Sequence, residues 1–385
     1  MTKGVERLTH SAARQAILDT LRGPHHPRIG AEVEWLVFDA TRPSRPVPAA
    51  ETTEAAGDEA LPAGGSVSVE PGGQLELSTQ PCAGPEGLRA AIEEDAGVLV
   101  RRFQRSGLVL VPLGLDPLRP PVVSLDAPRY VAMERHFRRE SPEGIRMMAS
   151  TAALQLSVDP GSARLWGWRV FSAAAPLLSA VFANSGAPGA ASARQRIWAS
   201  TDPSRTSPVS AIDPQSWIDA VLDASVMLRA GDGDVGPAPC RRSFRAWLDD
   251  EVDPPTVSDL DVHLTTMFPP IRPRGHLEVR VIDAVPAPGR AAAVATVWML
   301  ATKKRIGDAM MRIADEVPDL WDRSLADGIS DPRVRDAGHW LLDAAAGVVE
   351  AEAPTLARAC RAWPHRQPSA ATTSPASVLE LSERA

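Results

Sequence analysis

The chain has 385 residues, enough to bury a large core in one α+β unit or two smaller ones, and it carries 41 Lys and Arg against 48 Asp and Glu, a net charge of −7. No basic field invites nucleic acid. Three widely spaced cysteines (Cys82, Cys240, Cys360) make neither a disulfide framework nor a zinc motif; the N-terminus has no apolar leader, and the longest apolar run, 173–183 with Pro176 inside it, is too short for a bilayer, so the chain reads as cytoplasmic with no membrane partner.

In chain order, residues 9–22 predict a helix capped by Thr9 or Ser11, with Ala13, Ile17, Leu18 and Leu21 on one side and Gly23-Pro24 as its stop. A strand follows over 30–38. Residues 40–65, rich in Pro, Ala and Gly, read as a surface loop before a second strand-like segment at 68–78. Residues 85–106 predict a helix with Leu88, Ile92, Leu99 and Phe103 as its stripe, 108–113 a buried strand and 127–139 a short helix. Residues 151–159 form a further strand on which Gln155, Ser157 and Asp159 share a face. Helices are expected at about 161–183, 214–229, 241–250, 287–304 and 331–350, with a last strand at 276–283. One domain over 1–365 and a disordered Ser/Thr/Pro/Ala-rich tail over 366–385 complete the expectation. Strands separated by helices and long loops, with one polar sheet face, fit an α+β fold.

Three of these segments carry alternating carboxylates: Glu32 and Glu34 in the first, Glu70, Gln74 and Glu76 in the second, Glu278 and Arg280 in the last. Period two places each set on one face, with Val33, Leu75, Leu77, Val279 and Val281 on the other. For a single pair, the solvated face of an ordinary antiparallel strand is explanation enough. Three coincident segments, with Arg280 as the only cation among them, point instead to a bound cation, because carboxylates at that density resist ionisation unless neutralised. Hard oxygen donors without Cys or clustered His suit Mg²⁺ or Mn²⁺, and such a site most often serves a nucleotide phosphate. No P-loop or Rossmann glycine motif follows a strand, so ATP would be held through metal-bound carboxylates and arginines.

Together the segments resemble the glutamate-cysteine ligase family, in its plant-like branch that includes the ergothioneine-pathway ligase. The matching stretches are Gly30-x-Glu32-x-Glu34, Glu70-Pro71-Gly72-Gly73-Gln74-Leu75-Glu76, Met147-Met148 with Thr151 and Gln155, Asn184-Ser185, Ser192-x-Arg194-x-x-x-Trp198, Thr201-Asp202-Pro203-x-Arg205, and His263 to Pro270 leading to Leu277-Glu278-Val279-Arg280. They recur in family order over about residues 30–285, with Ser157 and His276 departing from the pattern. The resemblance implies a glutamine-synthetase-like fold, a curved and mostly antiparallel sheet forming a funnel within surrounding helices. It implies ATP-dependent ligation of the L-glutamate γ-carboxylate to the amine of L-cysteine. It also implies that Glu32, Glu34, Glu70, Glu76 and Glu278 surround Mg²⁺ and the ATP phosphates, that Arg280 faces the transferring phosphoryl group with Glu76 as its catalytic companion, and that Arg194 pairs with a substrate carboxylate. Met147, Thr151, Gln155 and Arg205 fall on the substrate side.

From the residues alone, Arg205 is equally a substrate contact or a solvated arginine in the polar, loop-like stretch 190–208, and Gln155 a substrate contact or a satisfied strand residue. His263 reads as a core-edge histidine rather than a nucleotide or metal contact, and the tryptophans as core or cavity wall. Two alternatives to glutamate-cysteine ligation stay open: a ligase of the same family using another amine, and a non-catalytic amino-acid or nucleotide sensor on the same fold.

Overall fold

The computed structural model describes residues 7–23, 26–209, 211–231, 234–238, 241–363 and 374–383. Nine strands occur among them: β1 (Arg28–Asp39), β2 (Ser66–Val69), β3 (Leu75–Ser78), β4 (Leu108–Val111), β5 (Ala153–Asp159), β6 (Leu228–Ala230), β7 (Val235–Pro237), β8 (Ile271–Pro273) and β9 (Leu277–Asp283). Seven join one sheet in the order β2-β3-β1-β5-β9-β8, with β4 paired to β1, while β6 and β7 form a separate hairpin. Every pairing is antiparallel. The α+β expectation holds.

Strand β1 is the spine. Its first half pairs with β3 and β5, and its second half with β4. The registers set Glu34 opposite Glu76, Glu32 opposite Gln155, and Glu278 opposite both Ser157 and Arg272. Residues facing each other across an antiparallel pair share a face, so the alternation within each strand becomes one acidic patch across four strands. The opposite face buries Val33, Leu75, Leu77, Leu156, Val279 and Val281 against the helices Pro85–Arg105, Arg164–Val181 and Ala287–Thr302. A second, smaller cluster of Met133, Phe137, Met147, Met148 and Ile197, supplied by the helices Pro128–Glu140, Gly144–Ser150 and Ala193–Thr201, with Met227 from the segment before β6, roofs the acidic face.

Several expectations need correction. The segment 40–65 is not all loop: Ala49–Ala56 is a helix that buries Ala49, Thr52, Ala55 and Ala56, and Thr52 donates to the Gly73 carbonyl at 2.9 Å. The stretch 68–78 is a hairpin rather than one strand, so Glu70 and Gln74 sit in its turn. The helix expected over 214–229 ends at Asp223, ahead of β6. The stretch 190–208 is mostly helical, Ala193–Thr201 then Pro203–Thr206, and both Arg194 and Arg205 are buried in it. The first helix does start at the Thr9 cap, which accepts from the Ala12 N–H; its expected stop, Pro24, lies outside the described residues.

The tail also differs from expectation where it is described. Pro375–Glu380 is a helix, Val378 is fully buried against Leu36, Phe38, Val111 and Leu113, and the Glu383 N–H donates to the Leu110 carbonyl at 2.9 Å. The Glu383 carboxylate pairs with the buried Arg290, and Trp35 Nε1 lies 3.4 Å from the same oxygen. Apolar side chains in an otherwise polar segment thus find a place on the sheet; residues 366–373 lie outside the described residues. Among the described residues no helix is long and apolar enough to cross a membrane.

Candidate active site

Between the acidic face and its methionine-rich roof lies a cavity of about 200 Å³ that opens to solvent. Glu32 and Glu34 reach it from β1, Glu76 from β3, Gln155 from β5, Arg272 from β8 and Arg280 from β9; Glu70 and Gln74 enter from the β2–β3 turn. Tyr130, Met133, Met147, Met148, Thr151 and Phe268 line the other side.

The turn is built to deliver Glu70. The Glu70 N–H bonds the Gln74 carbonyl at 2.8 Å, Gly73 takes φ +87°, and a Cβ on Gly72 would come within 2.2 Å of the Ala149 carbonyl oxygen. Only glycine tolerates both demands. The buried Gln74 amide locks the turn, accepting from the Gly72 N–H at 2.9 Å and donating to the Thr151 carbonyl at 2.9 Å.

Electrostatically the site is unequal. Burial, then repulsion from Glu76, pushes Glu34 up to about 7, although Arg194 and hydrogen bonds from the Ala153 N–H (2.8 Å) and Gln155 (2.9 Å) oppose the rise. Burial, followed by Glu34, Glu76 and Glu32, pushes Glu70 up to about 8. Glu32 is raised for the same reasons, burial first. For Glu278 burial also acts upward, but Arg272, His276 and Arg280 outweigh it and hold the carboxyl well below the usual range. Arg272 Nε stands 2.5 Å from Glu278, with Arg274, His276 and Arg280 at 3.5, 3.6 and 3.6 Å. Arg280 is therefore not the only cation at the acidic face, and Glu278 is engaged by arginine. Arg280, lowered to about 10 chiefly by burial and then by Arg272, also donates to Gln155 Oε1. The Gln155 amide thus stands between Arg280 and Glu34.

Arg194 reaches a second, narrow chamber that opens to solvent, walled by Gln195, Trp198, Phe268, Arg280 and Trp321. Trp198, Phe268 and Arg280 belong to both spaces. Arg194 is 2% exposed; its Nη2 donates to the Arg280 carbonyl at 3.1 Å, while Nε and Nη1, like Trp198 Nε1, make no hydrogen bond. Buried donors left unpaired are costly, which points to a polar occupant with acceptor oxygens.

The other expected residues separate. Met147 and Thr151 line the acidic cavity, with the Thr151 hydroxyl turned back to the Met147 carbonyl at 2.6 Å. Arg205 does not reach either space. It is 1% exposed and spends its guanidinium on Asp202 (2.7 Å), the Thr266 carbonyl (2.9 Å) and the Ser225 carbonyl, so its role is to tie three segments together rather than to bind substrate. His263 is buried against the Val221 carbonyl at 2.8 Å and pushed down to about 3 by burial, a core histidine as expected. Cys82 is half-buried and the buried Cys360 thiol is pushed up to about 12; neither lines the cavity, and Cys240 lies outside the described residues.

Sequence reasoning missed Arg272, Tyr130, Phe268 and Asp283. Arg272 stands in a three-residue strand that follows Pro270 and ends in Pro273, and Asp283 is out of phase with the alternation of Glu278 and Arg280.

The donor set fits a hard divalent cation. Buried carboxylates that repel one another gain from a cation placed among them. Among the described residues no three acidic, histidine or cysteine side chains stand close enough together to hold a metal ion by themselves. Mg²⁺ does not need such a set, since it commonly takes one or two carboxylates with waters and substrate phosphates.

Comparison with known proteins agrees with this geometry. Residues 28–327 match the glutamate-cysteine ligase family 2 (GCS2). The glutamate–cysteine ligase EgtA of Mycolicibacterium smegmatis is 37% identical over 328 residues, which cover 80% of this chain and 77% of that protein. EgtA of Mycobacterium tuberculosis is 36% identical over 370 residues, covering 90% and 85%. A crystal structure of the Francisella tularensis glutamate–cysteine ligase in complex with AMP shares the fold, with a TM-score of 0.55 at 13% identity over 94% of this chain and 88% of that one. The chain belongs to glutamate-cysteine ligase family 2 and is a ligase.

Proposed function

We propose that the protein ligates the γ-carboxylate of L-glutamate to the amine of L-cysteine at the expense of ATP, giving γ-glutamylcysteine, in the cytoplasm and for ergothioneine biosynthesis. The observation that carries this reading is the convergence of Glu32, Glu34, Glu70 and Glu76 on one cavity that shares Trp198, Phe268 and Arg280 with the chamber lined by Arg194. The names of the two EgtA relatives, both glutamate–cysteine ligases, support the substrates.

A free carboxylate is not aminated in water because oxide is too poor a leaving group. A γ-carboxylate oxygen would attack the γ-phosphorus of ATP, ADP would leave, and the amine would then add to the acyl carbon of γ-glutamyl phosphate, expelling phosphate and losing a proton. Such a sequence asks the protein for positioning and charge neutralisation, with no covalent nucleophile. Glu32, Glu34, Glu70 and Glu76, with Glu278 in competition with Arg272, would hold Mg²⁺ or Mn²⁺, which when bound neutralises phosphate charge. Arg280 faces the equatorial charge of the transferring phosphoryl group. Arg194 takes a substrate carboxylate in the second chamber, while Trp198 and Phe268 exclude water from between the two.

The test is ADP release with glutamate across a panel of amines. Cysteine is expected to be best, with 2-aminobutyrate, which exchanges SH for CH₃, poorer by roughly 10-fold to 200-fold in kcat/KM. An unrelated amine surpassing cysteine would keep the ligase chemistry and change the substrate. Full turnover in excess EDTA would refute the metal reading, and full turnover in Glu76→Gln the role of that carboxylate; no ADP release with any amine would favour a sensor.

A further inference from the structure

Arg194 is a buried cation with two idle donors, an arrangement that needs a cause. The cause lies at the end of β9. Asp283, the last residue of β9, is fully buried and its Oδ1 stands 3.7 Å from Arg194 Nη1. That separation is too long for a hydrogen bond but well within an ion pair, and in a buried setting the attraction is barely screened. The two charges do not close the gap because the carboxylate is already taken. Oδ2 accepts from the Asn184 N–H at 2.7 Å and the Ser185 hydroxyl at 2.6 Å, and Oδ1 accepts from the Ser192 hydroxyl at 3.0 Å. Gly114 packs so tightly against it that a Cβ there would meet the Asp283 Cγ at 2.7 Å, which removes the space for another rotamer.

We propose that Asp283 is the positioning residue for Arg194: a hydrogen-bonded counter-charge that holds the guanidinium at the wall of the second chamber without engaging Nε and Nη1, so that both can turn to a substrate carboxylate. A direct bidentate pair would hold Arg194 as firmly but consume the donors that recognition needs. No counter-charge at all would leave a buried cation that the fold must expel or neutralise. Ser192 sets the compromise. It caps the helix that carries Arg194, accepting from the Gln195 N–H at 3.2 Å, and its hydroxyl occupies the oxygen that would otherwise seize Nη1. Glu34 is the only other acidic group acting on Arg194 among those described, and it lies in the acidic cavity, not behind the guanidinium.

The inference rests on Arg194 being a substrate-binding residue, and its test separates the two. Steady-state kinetics would vary glutamate, cysteine and ATP in turn on the full chain and on Arg194→Ala, Asp283→Asn, Ser192→Ala and Ser192→Thr. Arg194→Ala identifies which amino acid it holds by raising that KM. Asp283→Asn is expected to raise the same KM by about tenfold or more, with kcat and the KM of ATP changed by less than about threefold. Ser192→Ala should move the same KM in the same direction, because the freed Oδ1 draws Nη1 in, and Ser192→Thr, which keeps the hydroxyl, should restore it. Should Asp283→Asn not fold, the Ser192 pair decides alone. If Arg194→Ala raises a KM that Asp283→Asn and Ser192→Ala leave untouched, or if they lower only kcat and thermal stability, the positioning role is overturned while the reading of Arg194 stands. If Arg194→Ala itself moves neither amino-acid KM, the reading of Arg194 falls and the inference with it.

Discussion

Glu34 and Glu70 hold their protons near neutrality because burial and mutual repulsion raise them from an ordinary value of 4.5 to about 7 and about 8. A carboxyl whose folded pKa is raised binds its proton more tightly folded than unfolded, so its stabilising effect is complete below about 4.5 and fades as pH climbs through 7 to 8. Without divalent cations, denaturant unfolding is expected to show a stability that declines across that window. Glu70→Gln, which removes one raised group and its repulsion, should flatten the decline, and an unchanged profile would count against the cluster. Arginine roles divide in the same space. Arg194→Ala is expected to raise an amino-acid KM, by about 2–5 kcal/mol if its partner stays desolvated, whereas Arg280→Ala should depress kcat. Two kinetically indistinguishable mutants would mean that the chambers do not have separate tasks.

The hairpin turn Glu70–Gln74 is where element geometry limits the chemistry. Gly72→Ala would drive a methyl group into the Ala149 backbone and is expected to cost about 1–3 kcal/mol and to displace Glu70, lowering turnover more than the unfolding midpoint alone explains. Normal kcat in a destabilised Gly72→Ala would show that Glu70 can be misplaced harmlessly. The acidic patch was legible from sequence because period-two alternation survives in β1, β3 and β9 without knowledge of their partners. Glu70 was read correctly as a neighbour of Glu76 but for the wrong reason, since a turn and not a strand carries it. What stayed hidden depended on tertiary pairing. The helix Ala49–Ala56 is packed against Gly73 within an Ala- and Pro-rich stretch that resembles loop, and the three-residue β8 has no period of its own. Arg205 misled because Asp202-Pro203-x-Arg205 is a helix cap closed by its own ion pair, and the same residue types that bind a substrate carboxylate serve a buried one.

At the scale of the whole molecule, the segment 374–383 behaves as part of the sheet's packing despite its tail-like composition. Deleting residues 374–385 would strip Glu383 from the buried Arg290, and the loss is expected to be about 3–5 kcal/mol, measured by denaturant unfolding, with Glu383→Gln reproducing much of it. A truncated chain as stable as the full one would make the contact incidental. The consequence reaches further through β1. Trp35, the residue that Glu383 touches, is the immediate neighbour of Glu34, and the two point to opposite faces of one strand. A strand pinned on both sides acts as a stiff beam, so a push on one face is felt one peptide away on the other. Removing the segment 374–383 would therefore loosen the floor beneath Glu34 without altering a single residue that lines the cavity.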